Sequence, residues 1–155
     1  MKIKLIVYDF DGVMTNNKAF VDENGKEFVE INRSDGLGVS EFKKLDLEQM
    51  IMSSEKNKVV EARAKKLDIK VMHGIEDKKN TLISFCEENN IQLKQVLFVG
   101  NDINDEEAMK ISGYAYCPLD SHARIKKISD HILTKKGGSG VIRELYDIIK
   151  DKLSK

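Results

Sequence analysis

Two aspartates one residue apart, Asp9 and Asp11, follow directly on the apolar run Leu5 to Tyr8, and Gly12 and Thr15 come straight after them in "DFDGVMT". Such a stretch is either a strand closing in a polar turn or a strand delivering two carboxylates to a reaction. Period two in an extended chain puts residues i and i+2 on one face, so both acids point the same way. Further along, Ser53, Ser54 and Glu55 follow the run "LEQMIM", Lys78 opens "KKNTLISFCEENN", and "GNDIND" brings Asn101, Asp102, Asn104 and Asp105 after "QVLFV".

Gathered in one place, Asp9, Asp11 and Asp102 would raise one another's pKa unless a cation joined them. Mg²⁺ suits that need, because it is held by one or two carboxylates, keeps several waters and shares oxygens with a phosphate. A phosphate also gives the other residues a task. The Ser53 hydroxyl and backbone N–H groups can donate to it, and Lys78 can neutralise one of its oxygens as a point charge. Attack by a carboxylate on phosphorus is nucleophilic catalysis through an aspartyl phosphate. Asp9, at the strand end, is the more rigidly held and suits attack. Asp11 can reach the leaving oxygen as general acid and then serve as base.

These residues need elements to bring them together. Short apolar runs at 3–9, 47–54, 69–74, 95–102, 114–118 and 130–134 read as strands, and those at 4–8 and 96–99 are nearly unbroken, as in strands covered on both faces. Between them, Leu37, Val39, Phe42 and Leu45 recur at near-helical spacing, as do Val59, Ala62 and Leu67. Leu82, Phe85 and Cys86, and then Val141, Leu145, Ile148 and Ile149, follow the same pattern, while "NDEEAMKIS" opens at an Asn or Asp cap. The β, α alternation specifies an α/β domain with a parallel sheet and helices on both faces. One segment breaks the rhythm: "KAFVDENGKEFVEIN" predicts a hairpin after strand one, with a type I′ turn at Asn24-Gly25. In open parallel sheets ligands bind beyond the C-terminal strand ends, which is where Asp9, Asp11, Ser53, Lys78 and the 101–105 acids fall.

Composition narrows the classes. The 155 residues suit one domain, read as spanning 1–155, that needs neither disulfide nor metal to fold. Lys plus Arg equals Asp plus Glu at 26 each, so no overall field points to nucleic acid or an anionic membrane. Cys86 and Cys117 show no metal or disulfide spacing, and His73, His122 and His131 are scattered. No stretch reads as a signal peptide or a membrane span, so a cytoplasmic setting is expected.

Each signal alone has an ordinary explanation: a turn, a cap, a solvated lysine. Four of them in order, "DFDGVMT", Ser53, Lys78 and "GNDIND", resemble the four motifs of the haloacid dehalogenase superfamily of phosphatases. The likeness extends along most of the chain to the small branch without a cap domain, which contains 3-deoxy-manno-octulosonate 8-phosphate and nonulosonate 9-phosphate phosphatases. That branch also includes domains fused to cytidylyltransferases that activate sialic-acid-like sugars.

The resemblance implies a Rossmann-like domain without a separate cap domain, whose hairpin contributes to a homotetramer, with neighbouring subunits closing the site. It implies Asp9 as nucleophile and Asp11 as acid and base. Mg²⁺ would be held by the Asp9 side chain, the Asp11 main-chain carbonyl and Asp102, with Asp105 supporting and Ser53 and Lys78 on the phosphoryl group. Glu55, Arg63 and Lys66 match positions that meet the sugar, the two cations across a subunit boundary; a solvated helix face explains them equally well. Arg143 is either part of a tail visiting a neighbour's site or a surface residue.

Two departures stand out. Asn101 replaces an acid, and Ser54 replaces the glycine of a usual Thr-Gly pair. The substrate expected is a phosphorylated 2-keto-3-deoxy acid of eight or nine carbons. A signalling receiver domain shares the acid cluster but carries its phosphorylated aspartate after the third strand. A non-catalytic tetramerisation module remains the alternative.

Overall fold

The computed structural model describes residues 1–153. Fourteen main elements follow in chain order: β1 (Leu5–Tyr8), β2 (Phe20–Val21), β3 (Glu27–Phe28), α1 (Arg33–Lys43), β4 (Glu48–Met52), α2 (Lys58–Leu67), β5 (Lys70–Met72), α3 (Lys78–Glu88), β6 (Val96–Val99), α4 (Glu106–Ile111), β7 (Tyr114–Cys117), α5 (Ala123–Ile128), β8 (His131–Ile132) and α6 (Val141–Ile149). Six strands make one sheet in the order β5-β4-β1-β6-β7-β8, and every pairing in it is parallel.

Period two explains how so short a sheet supports two cores. Ile6 and Tyr8 of β1 face one way, with Ile51, Leu97 and Val99, onto Val39 and Phe42 of α1, Val60 and Ala64 of α2, and Leu145 and Ile149 of α6. Leu5 and Val7 face the other way, with Met50, Met52 and Phe98, onto Leu82 and Cys86 of α3, Met109 of α4 and Ile125 of α5. β1 and β6 are therefore buried throughout, as their unbroken apolar runs predict. The edges are blunted: β5 exposes Lys70 and β8 is two residues long.

The chain order reverses at β1, whose neighbours are β4 and β6. Loops leaving β1 and β6 diverge there and open a crevice. Side-chain caps fix the helices beneath it: Asn57 Oδ1 accepts from Val59 N at 3.0 Å and Asp77 Oδ1 from Asn80 N at 2.9 Å. Asp35 does the same from a distance, accepting from Ile142 N (2.9 Å) and Arg143 N (3.4 Å) at the start of α6.

Four local expectations change. The β2–β3 hairpin exists, but Gly25 alone in its turn takes positive φ, 76°, with its N–H bonded to Asp22 O at 3.0 Å and Lys26 O accepting from Asp22 N. That is a three-residue loop rather than a type I′ turn, which would need positive φ at Asn24 as well. Leu37 and Leu45 are exposed. The buried face of α2 is Val60, Arg63, Ala64 and Leu67, one position round from the Val59 and Ala62 stripe, and Ala62 is exposed. Finally, α5 is a helix that the sequence pattern does not signal, being six residues long.

Candidate active site

β1 delivers its acids by continuing as backbone: Asp9 N donates to Val99 O at 2.9 Å, and the chain then turns, with Met14 N and Thr15 N both donating to Phe10 O. Gly12 turns here at φ +85°, and a Cβ on it would sit 1.9 Å from the Asn101 amide, so only glycine fits. Thr15 is buried and ties the turn together. Its Oγ1 accepts from Gly12 N (3.3 Å) and Asn17 N (3.1 Å) and donates to Asp11 Oδ1 (3.2 Å).

Below the turn, Lys78, the first residue of α3, reaches in with 2 % of its surface exposed. Its Nζ lies 2.8 Å from Asp9 Oδ1 and 2.6 Å from Asp105 Oδ1. Asp105 is fully buried and uses its other oxygen to accept from Asn101 N (2.9 Å) and Asp102 N (3.4 Å), which fixes the loop after β6. Burial and then the neighbouring Asp105 raise the Asp9 carboxyl above the ordinary carboxylate range, while Lys78 pulls it back toward the ionised form. Burial works against the Lys78 ammonium, but Asp9 and Asp105 outweigh it and hold its pKa above the ordinary value. Burial likewise raises Asp11, opposed by the Thr15 hydrogen bond and reinforced by Glu55 and Glu27.

Above these groups lies a hollow of about 70 Å³, walled by Asp9 and Asp11 on one side, Ser53, Ser54 and Glu55 on a second, and Asn101, Asp102 and Asn104 on a third. Ser53 is buried, its Oγ accepting from Glu55 N at 3.2 Å. Asn104 Nδ2 donates to Ser54 Oγ at 3.1 Å, linking the two loops across the hollow. A second hollow opens beside it, between Asp11 and Glu55 and the hairpin residues Glu27 and Val29. Asn57 of the α2 cap holds Glu27 there at 2.6 Å.

Of the residues singled out from sequence, Asp9, Asp11, Ser53, Glu55 and Asp102 line this hollow, and Lys78 and Asp105 lie in the buried ion-pair network beneath it. Arg63 and Lys66 are elsewhere, in a cleft with Arg33 and Ser40 on the outer side of α1 and α2. Burial lowers the pKa of Arg63, and its guanidinium donates to Asn32 O at 3.3 Å. Arg143 pairs with Asp147 on the surface of α6.

Asp9, Asp11 and Asp102 line the same hollow, although among the described residues no group of three acidic, histidine or cysteine side chains could by itself hold a metal ion. Asp102 also caps its own turn, Oδ1 accepting from Ile103 N at 2.7 Å. The side chain aimed at Asp9 and Asp11 is that of Asn101. Strand register could have found it, since Tyr8 pairs with Val99 and Asn101 is therefore among the first residues to clear β6 beside the Asp9 turn.

Comparison with known proteins places the chain. A family model described as haloacid dehalogenase-like hydrolase matches residues 16–145, beginning just past Thr15. The 3-deoxy-D-manno-octulosonate 8-phosphate phosphatase of Escherichia coli (strain K12) is 31 % identical over 150 residues, which are 95 % of this chain and 79 % of the relative. A Streptomyces avermitilis protein described as a HAD family hydrolase superposes with a TM-score of 0.90 at 40 % identity, covering 93 % of this chain and 83 % of its own. The 3-deoxy-D-manno-octulosonate 8-phosphate phosphatase of Moraxella catarrhalis, crystallised with magnesium, phosphate and KDO, superposes at 0.94 with 27 % identity, covering 98 % and 88 %. No helix among the described residues is long and apolar enough to cross a membrane.

Proposed function

The chain belongs to the haloacid dehalogenase-like hydrolase family, and from that premise we propose that it is a Mg²⁺-dependent phosphomonoesterase acting on a 2-keto-3-deoxy sugar-acid phosphate. The observation that carries this reading is the buried ammonium of Lys78 joining Asp9 to Asp105 directly beneath a hollow lined by Asp11 and Ser53. One face of that hollow offers a nucleophile, an acid and a phosphate-sized space.

In the proposed reaction an Asp9 carboxylate oxygen forms a bond to phosphorus as the P–O bond to the sugar breaks, and Asp11 gives its proton to the departing oxygen. The raised pKa of Asp11 suits it to carry that proton. Water then attacks the aspartyl phosphate, Asp11 taking the water's proton and Asp9 leaving as carboxylate. Ser53 and Lys78 hold the phosphoryl oxygens throughout. The residues fit a hard cation, because an amide atom of Asn101 lies 3.0 Å from Asp9 Oδ2 and 2.9 Å from Asp11 O. When bound, Mg²⁺ supplies positive charge to the phosphoryl oxygens. Asp9, the Asp11 carbonyl and one residue of the 101–102 turn would hold it; the family likeness nominates Asp102, and Asp105 steadies the turn.

The octulosonate 8-phosphate is the first candidate substrate, supported by the names of the curated relatives. A nonulosonate 9-phosphate is the second, supported by Glu55, a hydroxyl acceptor exposed between both hollows. We place the sugar carboxylate against Arg63 and Lys66 of a neighbouring subunit, since within one chain their cleft lies apart from the hollow. Exposed Phe20, Val21 and Phe28 on the hairpin suit contacts between copies in a homotetramer. Phosphate release from both sugar acids, with and without Mg²⁺, tests the proposal through kcat/KM. Mg²⁺-dependent turnover of either supports it; no turnover of both favours the non-catalytic tetramerisation module.

A further inference from the structure

The turn that carries Asp11 is gripped by two neighbours. The Asn101 amide lies against the α-carbon of Gly12, and Gly137, buried in the loop between β8 and α6, lies against the Gly12 carbonyl: a Cβ on Gly137 would sit 2.2 Å from Gly12 O and 2.8 Å from Thr15 O. The hydrogen that such a Cβ would replace points at those oxygens. The next residue completes the contact, Gly138 N donating to Val13 O at 3.0 Å.

Both jaws hang from the segment that follows β7. His122 N donates to Asn101 O at 2.8 Å, and the Asp120 carboxylate accepts from Gly137 N at 2.9 Å. The loop is pinned at its base, because Glu144 of α6 accepts from Thr134 N, Thr134 Oγ1 and Lys135 N at 2.8, 2.6 and 2.8 Å. The Asp11 carboxylate takes its place from the gripped turn, through Thr15 Oγ1 at 3.2 Å. Asp9 is held by the sheet instead, through Val99 O. A displacement of the loop therefore reaches Asp11 before it reaches Asp9, Ser53 or Lys78.

Resting on the phosphatase reading above, we propose that Gly137 and Asp120 are positioning residues for Asp11: the Gly137 peptide, held by Asp120, sets the turn so that the Asp11 carboxyl reaches the departing sugar oxygen. An ordinary C···O approach is about 3.3 Å, so Gly137→Ala must part the two backbones by about 1 Å. A misplacement of that size costs about 100-fold in rate.

The leaving group separates this role from a general loss of structure. A sugar alkoxide needs the Asp11 proton as it departs, whereas p-nitrophenolate leaves without one. Phosphate release from octulosonate 8-phosphate, nonulosonate 9-phosphate and p-nitrophenyl phosphate in saturating Mg²⁺, read as kcat/KM, tests the proposal on wild type, Gly137→Ala, Asp120→Ala and Asp120→Asn. Gly137→Ala should lose about 100-fold on the sugar-acid phosphate that wild type turns over and less than about tenfold on p-nitrophenyl phosphate. Asp120→Ala should lose about tenfold on the first and less than about twofold on the second, while Asp120→Asn, which keeps an oxygen for Gly137 N, should stay within about twofold of wild type on both. Asp120 is exposed, so its variants carry the test if Gly137→Ala does not fold. Equal losses on the two kinds of substrate, or no loss in either alanine variant, overturn the positioning role and leave the phosphatase reading standing. Wild type inactive on all three phosphates overturns both.

Discussion

Replacing Lys78 by methionine keeps the length of the side chain and removes the one ammonium between two buried carboxylates. That ammonium lies 2.8 Å from Asp9 and 2.6 Å from Asp105, and the side chains of Lys78, Asp9 and Asp105 are exposed by 1 %, 6 % and 0 %. Removing one partner of a buried pair costs about 3–5 kcal/mol, because the charge left behind is neither solvated nor paired. The variant's one escape is for a carboxyl to bind an extra proton. That uptake costs about 1.4 kcal/mol for each pH unit above the ordinary carboxylate range, so it is cheap at pH 5 and no longer helps at pH 8. A carboxyl whose pKa is raised in the folded state loses stability as pH rises, so the deficit widens with pH. Urea unfolding in EDTA should therefore show Lys78→Met less stable than wild type by about 1–2 kcal/mol at pH 5 and by about 3–5 kcal/mol at pH 8. The further change Asp105→Asn should recover much of the loss at pH 8 by removing one of the stranded charges. A deficit under about 1 kcal/mol at pH 8, or one of equal size at both pH values, would refute the reasoning.

Three further outcomes follow from contacts away from Lys78. Gly38→Ala places a Cβ 2.8 Å from Ile142 O and 2.9 Å from Arg143 N, backbone atoms of α6; overpacking of about 1–3 kcal/mol should outweigh the helix propensity gain of about 1 kcal/mol, so urea unfolding should show a net loss. Burial pushes the Asp35 carboxyl up to about 6 despite hydrogen bonds from Ile142 and Arg143. Its ionisation then opposes folding increasingly from about pH 4 to 6, and wild type should lose roughly 2.4 kcal/mol relative to Asp35→Asn between pH 4 and 7, whereas a constant difference would contradict this origin. If the hairpin joins subunits, Phe20→Ser with Phe28→Ser should shift sedimentation toward smaller species, and an unchanged assembly would count against that contact.

Much of this architecture is legible in residue order. The unbroken runs of β1 and β6 identify the central strands because only strands covered on both faces lack polar alternation. The acids after them, with Ser53 and Lys78, then fall at one end of the sheet by topology alone. What escaped depends on three-dimensional register. The choice between Val59 with Ala62 and Val60 with Ala64 turns on a rotation of one residue about α2, and the burial of Arg63 on the chosen face has no apolar signature. α5 has one buried apolar residue, Ile125, too little for a periodic pattern. The placement of Asn101 is of the same kind: a neutral amide carries no charge signal in the sequence, while the pairing of β1 with β6 brings it to Asp9.

The role of Asp9 is tested most directly by phosphate release from octulosonate 8-phosphate and nonulosonate 9-phosphate in excess Mg²⁺, comparing wild type with Asp9→Asn. This change keeps the shape beside Lys78 and removes the attacking carboxylate. Wild type should turn over one of the two substrates, while the variant should release no phosphate above background and keep a cooperative unfolding transition. Turnover by Asp9→Asn at the wild-type rate would contradict nucleophilic attack by Asp9.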